Sequence, residues 1–100
     1  MPAQVKITVL KSMVLDDLVE KYAPGPVELC SRMKPGDVYI TDGRTCPEGF
    51  CTWAFADIFK DILLVRQEAK GYCADKKSMV TACTDGFRPV IFLVEPYEEE

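Results

Sequence analysis

The sequence predicts a single small α+β domain, with elements in the order β-α-β-α-β-β, a mostly antiparallel sheet covered by two helices, and a β-hairpin at the C-terminal end. Three observations predict it. Residues 5–10, VKITVL, alternate apolar and polar side chains with the period of a half-buried strand. Phe55, Ile58, Phe59, Ile62 and Val65 recur at helical spacing and form one apolar stripe. Asp85-Gly86 stands between two β-rich runs, the strongest short-range signal for a hairpin. A chain of 100 residues, 48% of them apolar, can bury one modest core and is too short for two ordinary domains. One domain over residues 1–100 follows, with residues 95–100 read as an acidic tail.

The elements follow in order. After the first strand, Ser12 can cap a helix in which Val14, Leu15, Leu18, Val19 and Tyr22 share a face opposite Asp16, Asp17, Glu20 and Lys21. That spacing gives about three turns, ended by Pro24-Gly25-Pro26. Residues 27–30 form a short extended piece, and the turn Lys34-Pro35-Gly36-Asp37 feeds a second strand over residues 38–41. Asp42-Gly43 closes that strand. Thr45-Cys46-Pro47-Glu48 has the pattern of a capping box. Gly49 would then lie inside the first turn, so the central helix is expected to start later, with Cys51 at or just before its N-terminus. It runs through Val65 towards Ala69 and stops near Gly71. Residues 79–84 and 87–95 make the hairpin around Asp85-Gly86.

Charge and composition exclude several classes of function. The net charge is −4 and the 12 basic residues are scattered, whereas phosphate-backbone binding rests on clustered Lys and Arg, so nucleic acid is not the expected partner. No apolar run approaches the roughly 20 residues of a membrane helix, so no membrane partner is expected either. The N-terminal MPAQVKITVLKS lacks the pattern of a secretory signal, and a cytoplasmic location is the expectation. No glycine-rich phosphate loop, paired catalytic carboxylates or Ser/His/Asp set is present to support a nucleotide-binding or hydrolytic reading. Five cysteines stand beside no histidine. That combination removes mixed Cys/His zinc sites and Cys-His nucleophile pairs, and any metal would be held by thiolates, alone or with carboxylates or backbone.

Three motifs carry a resemblance. VKITVLK at residues 5–11, PEGFC-x-WA-x-ADI at residues 47–58 and CTDG-x-RPV-x-F at residues 83–92 resemble a family of small, roughly 90-residue prokaryotic proteins, frequent in anaerobes and without an assigned activity. The resemblance spans nearly the whole chain. It implies a small cytosolic single-domain protein in which the regions of Cys30, Cys46, Cys51 and Cys83 correspond to family cysteine positions. Members often carry paired cysteines before Thr-Asp-Gly where this chain has Ala82-Cys83, and Cys73 lies in a segment without a counterpart.

The cysteines admit three readings. CPEGFC, residues 46–51, supplies the first pair of a plant-type iron–sulfur spacing, but Ala54 stands where the third cysteine would be. As half of a structural zinc site it needs two more ligands, and Cys30 and Cys83 complete the set Cys30, Cys46, Cys51 and Cys83 for zinc or an iron–sulfur centre. As a reactive thiol, Cys51 sits where a helix N-terminus favours thiolate, with Cys46 as its resolving partner. As packing, Cys51 and Cys83 fill small core gaps, and Phe50 and Trp53 bury the corner. Asp57, on or beside the apolar stripe, needs a partner, and Arg88 or the hairpin amides are at hand. Asp57, Asp85 and Arg88, with Trp53 beside them, are therefore the ligand-binding candidates, against a plainer ion pair tying helix to hairpin. Three functions follow: an accessory protein that binds a metal or small ligand at a cysteine-rich helix/hairpin junction, a thiol redox protein, or a homo-oligomeric interaction module with structural cysteines. Bound metal, one fast-alkylating cysteine, or an oligomer stable to reduction and chelation would distinguish them.

Overall fold

Alternation carries the first segment into a strand, β1 (Gln4–Ser12), whose Val5, Ile7 and Val9 are buried. The structure is a computed structural model and describes residues 4–67 and 77–97. The further elements are α1 (Asp16–Tyr22), β2 (Val38–Thr41), α2 (Thr52–Arg66), β3 (Met79–Ala82) and β4 (Val90–Tyr97). They form the α+β order expected from the sequence. The four strands lie in one antiparallel sheet in the order β2-β1-β4-β3.

The sheet registers place apolar side chains in line across one face. Ile7 stands opposite Tyr39 on β2 and Val94 on β4, and Val94 in turn opposite Met79 on β3. Against this face α2 packs Phe55, Ile58, Ile62 and Val65 of the stripe that the 3.6-residue period predicts, while Phe59 of that stripe is only partly buried and Ala54, outside it, is buried as well. Phe92 and Phe50 meet at 5.5 Å between ring centroids, and Tyr39 meets Phe50 edge-on at 4.9 Å, so the aromatic centre of the core ties β4 and β2 to the corner before α2. The helix–sheet packing is that of α2, while α1 buries none of its residues.

Three boundaries differ from expectation, each because other bonds claim the residues. Ser12 does not cap a helix; it pairs with Val90, beyond a bulge between Val9 and Lys11, and the ladder to the β3–β4 connection continues through Met13 N–H to Pro89 O and Leu15 N–H to Phe87 O. This leaves α1 with only the residues from Asp16 on. The short extended piece expected over residues 27–30 is not one of the four strands, in keeping with the element order read from the sequence. Asp85-Gly86 is not a two-residue hairpin turn, because β3 ends at Ala82 and β4 begins at Val90. Pro89 has no N–H to give the ladder, and the Asp85 carboxylate takes the amides of Phe87 and Arg88 instead. Finally, Glu95 is not the start of a tail: β4 runs on to Tyr97, and Glu95 lies 3.9 Å from Lys6 on β1. Cys73 and the expected continuation of the central helix past Gln67 lie outside the described residues.

A cysteine-lined cavity as the candidate functional site

CPEGFC folds as a corner. Phe50 N–H closes a turn on Pro47 O at 3.1 Å, with Gly49 at φ 83°, the left-handed backbone that the third position of such a turn requires and glycine supplies without a steric cost. The turn drives Phe50, only 4% exposed, into the core. Cys51 thereby becomes the N-cap of α2, as the late helix start predicts, and its carbonyl accepts Phe55 N–H at 2.9 Å. The capping-box pair does not form. The Thr45 hydroxyl and the Arg44 and Thr45 amides turn to Asp42, and Thr41 Oγ1 donates to Thr45 O at 2.6 Å. These bonds fold residues 41–45 tightly enough that Gly43, at φ 92°, is buried under the Arg66 side chain, which a Cβ there would push aside.

The first turns of α2 face the β3–β4 connection. Asp57 accepts Thr84 N–H at 2.9 Å, so helix and connection are tied by a hairpin amide and not by Arg88. Arg88 pairs instead with Asp85, Nε to Oδ2 at 3.2 Å. The Trp53 indole N–H reaches Thr84 Oγ1 at 3.4 Å while the ring remains 70% exposed, so Trp53 does not bury the corner as expected; Phe50 alone does. Where the ladder would close on Cys83, its N–H donates to Val90 O at 3.1 Å, and Val90 N–H donates to the Cys83 sulfur at 3.3 Å.

Between these elements and the loop at residues 30–33 lies a cavity of about 310 Å³. Cys30, Cys51 and Cys83 line it, with Trp53, Asp85 and Arg88. Arg32 lines it as well, exposed, and the rest of the lining is apolar and firmly packed: Met33, Ala54, Val90 and Phe92 are each no more than 3% exposed. Most of the residues singled out from the sequence therefore meet at one place. Asp57 lies behind the cavity as the tie to Thr84, and Cys46 is not on its lining. The Cys46 thiol points at the carbonyls of Pro47 and Phe50, 3.7 and 3.6 Å away, and burial, with the neighbouring Cys51, pushes it up from its ordinary pKa.

All four cysteines named as metal ligands are free thiols packed against the core. Among the described residues no group of three or more His, Cys, Asp or Glu side chains is gathered to hold a metal ion.

Sequence reasoning misses Arg32 and Met33, which enter the cavity from an irregular loop where no period marks them. It also misses Asp61, 2% exposed, which accepts Thr81 Oγ1–H at 2.8 Å and pairs with Lys60 Nζ at 3.0 Å. Its position beside Ile58, Ile62 and Val65 on the stripe is a signal that Asp57 drew away.

Two expectations arise here. Replacing Asp57 by Ala should destabilise the fold by about 1 kcal/mol, because the Thr84 amide loses its acceptor. Asp57→Asn keeps an acceptor oxygen and should recover most of that loss; urea unfolding of the two variants checks it. The second expectation concerns acid. Burial acts to raise the Asp85 carboxyl, but the amides of Arg88 and Phe87 and the Arg88 guanidinium outweigh it and hold it below its ordinary value. The amides of Arg44 and Thr45 hold Asp42 low in the same way. Depressed carboxyls stabilise the fold above their unfolded value, about pH 4, and that contribution is lost as pH falls through the lower folded values. The chain has no histidine to titrate nearer neutrality. The melting temperature should hold level from about pH 7 to 5 and drop below about pH 4. Asp85→Asn should remove part of that acid-side drop.

Fold and site together define a small α+β domain with a cysteine-lined cavity where its main helix meets the connection between its last two strands. Compared with protein-family models, curated proteins and solved structures, the chain matches none. No helix among the described residues is long and apolar enough to cross a membrane.

Proposed function

We propose that the protein binds a small ligand in the cavity at the junction of α2 and the β3–β4 connection, as an accessory or carrier protein of the cytoplasm. The observation that carries this reading is the convergence of three separate chain segments on one cavity: Cys30 from a loop, Cys51 and Trp53 from the start of α2, and Cys83, Asp85 and Arg88 from the connection. A mostly apolar hollow with a few polar groups at its edge is the usual form of a small-ligand site, and its volume lies at the lower end of the range for such sites. The free cavity thiols suit a reducing compartment, which would keep them in that state.

Trp53 gives the test its readout. It is the only tryptophan, so its indole N–H gives one resolvable signal in a ¹⁵N-labelled protein. A panel of small aromatic and branched aliphatic acids, alcohols and amines should include compounds that move this signal in a saturable way. A panel with no such compound would contradict the reading. A thiol-redox function remains the second reading, favoured by the three thiols on one lining. It would run through those thiols and not through Cys46, whose sulfur faces carbonyls off the cavity.

A further inference from the structure

The charges around the cavity are unlike those of the chain as a whole. Its lining carries Arg32, Arg88 and Asp85, two cations against one anion, in a protein of net charge −4. Asp85 is fully engaged: its Oδ1 accepts the amides of Phe87 and Arg88, and its Oδ2 takes Arg88 Nε at 3.2 Å. Arg88 is thereby neutralised in place. Arg32 is exposed at the edge and has no ion pair among the described residues. Beneath it the hollow is closed by Met33, Val90 and Phe92, each at most 1% exposed, which offer nothing to a second charge. Trp53 stands at the edge with 70% of its surface in water, although its N–H is fixed to Thr84. A large aromatic side chain held by a hydrogen bond and left open is suited to covering an apolar ligand.

From this we infer that the ligand is a small apolar anion: an organic acid whose hydrocarbon or aromatic body fills the hollow beneath Trp53 and whose single carboxylate pairs with Arg32. The inference rests on the cavity being a ligand site, and it adds the sign of the charge and the residue that reads it. A guanidinium presents paired N–H donors that match a carboxylate, which an alcohol or amide of the same shape cannot exploit equally. An ammonium in the same place would meet Arg32 with like charge.

The test compares benzoate, benzyl alcohol and benzylamine, three probes of similar shape, by titration of the Trp53 indole signal in the full chain. Benzoate should bind most tightly and benzylamine least. Arg32→Gln should weaken benzoate about tenfold, the scale of one charge-assisted contact, and leave benzyl alcohol unchanged. Arg44→Gln, at an exposed arginine off the cavity, should alter neither. Equal binding of benzoate and benzyl alcohol would overturn the inference and leave the cavity standing as a ligand site. Equal losses in the Arg32 and Arg44 variants would overturn the assignment to Arg32, since they would report only the overall field. No displacement of the signal by any of the three probes would overturn the inference together with the reading on which it rests.

Discussion

Phe92→Ala is expected to lower the stability of the fold by about 3–5 kcal/mol. Phe92 is 0% exposed near the start of β4, packs 5.5 Å from the Phe50 ring, and forms part of the floor of the cavity. Truncating it removes the transfer energy of the ring and leaves a void between sheet, helix and corner. The surroundings are ill placed to fill that void, because the turn at residues 47–50 fixes Phe50 and the ladders on both sides fix β4. A domain of this size has a total stability of about 5–15 kcal/mol, so the variant should sit near the edge of folding at room temperature. Phe92→Leu keeps much of the volume and should cost less than about 1.5 kcal/mol. Urea or guanidinium unfolding of both variants checks the pair, and the Leu variant keeps the measurement informative if the Ala variant does not fold.

Thr81→Val is the second large effect, expected to cost about 1–3 kcal/mol. The side chain changes little in shape, but the Asp61 carboxylate loses its hydroxyl partner while 2% exposed. Lys60 remains 3.0 Å away, yet its own side chain is 77% exposed and reaches the carboxylate from the solvent side. The cost is therefore that of a buried acceptor left short of a donor. Asp61→Leu would carry the apolar stripe across this position, and combined with Thr81→Val it should be considerably less destabilising than the sum of the two single changes. A double-mutant cycle measured by chemical denaturation gives that coupling directly. Additive losses would show that the hydroxyl and carboxylate do not act as a pair.

Much of the fold is legible because its signals are local and agree with one another. Alternation in β1, the strand after the Lys34–Asp37 turn, most of the stripe of α2 and the late start of that helix at Cys51 depend only on neighbouring residues, and they appear as read. The misreadings arise where a distant partner or a competing local bond decides. Ser12 offers a good cap, but Val90 lies across the sheet to extend the ladder. Asp85-Gly86 offers a tight turn, but Pro89 has no N–H to give the ladder and Asp85 has closer amides to accept. Asp57 and Asp61 are both carboxylates among apolar residues of one helix. Which of them is buried depends on how α2 is rotated against β3, where Thr81 faces Asp61.

The site was legible in part for the same reason. Cys30, Cys51, Cys83, Trp53, Asp85 and Arg88 could be named because their residue types carry chemistry, and the fold gathers them on one cavity. Arg32 and Met33 could not be, since their place there follows from the path of an irregular loop. Cys46, a neighbour of Cys51 in the motif, is turned aside by the very turn that sets Cys51 at the head of the helix. CPEGFC is thus a corner that sets Cys51 on the cavity and leaves Cys46 off its lining.

The most direct measurement of the account is the alkylation rate of each cysteine, followed by mass spectrometry with iodoacetamide, in the absence and presence of saturating benzoate. If the cavity is where a small apolar acid binds, Cys30, Cys51 and Cys83 should slow together while Cys46 keeps its rate. Rates unchanged at the three cavity cysteines, or Cys46 slowed as much as they are, would contradict it.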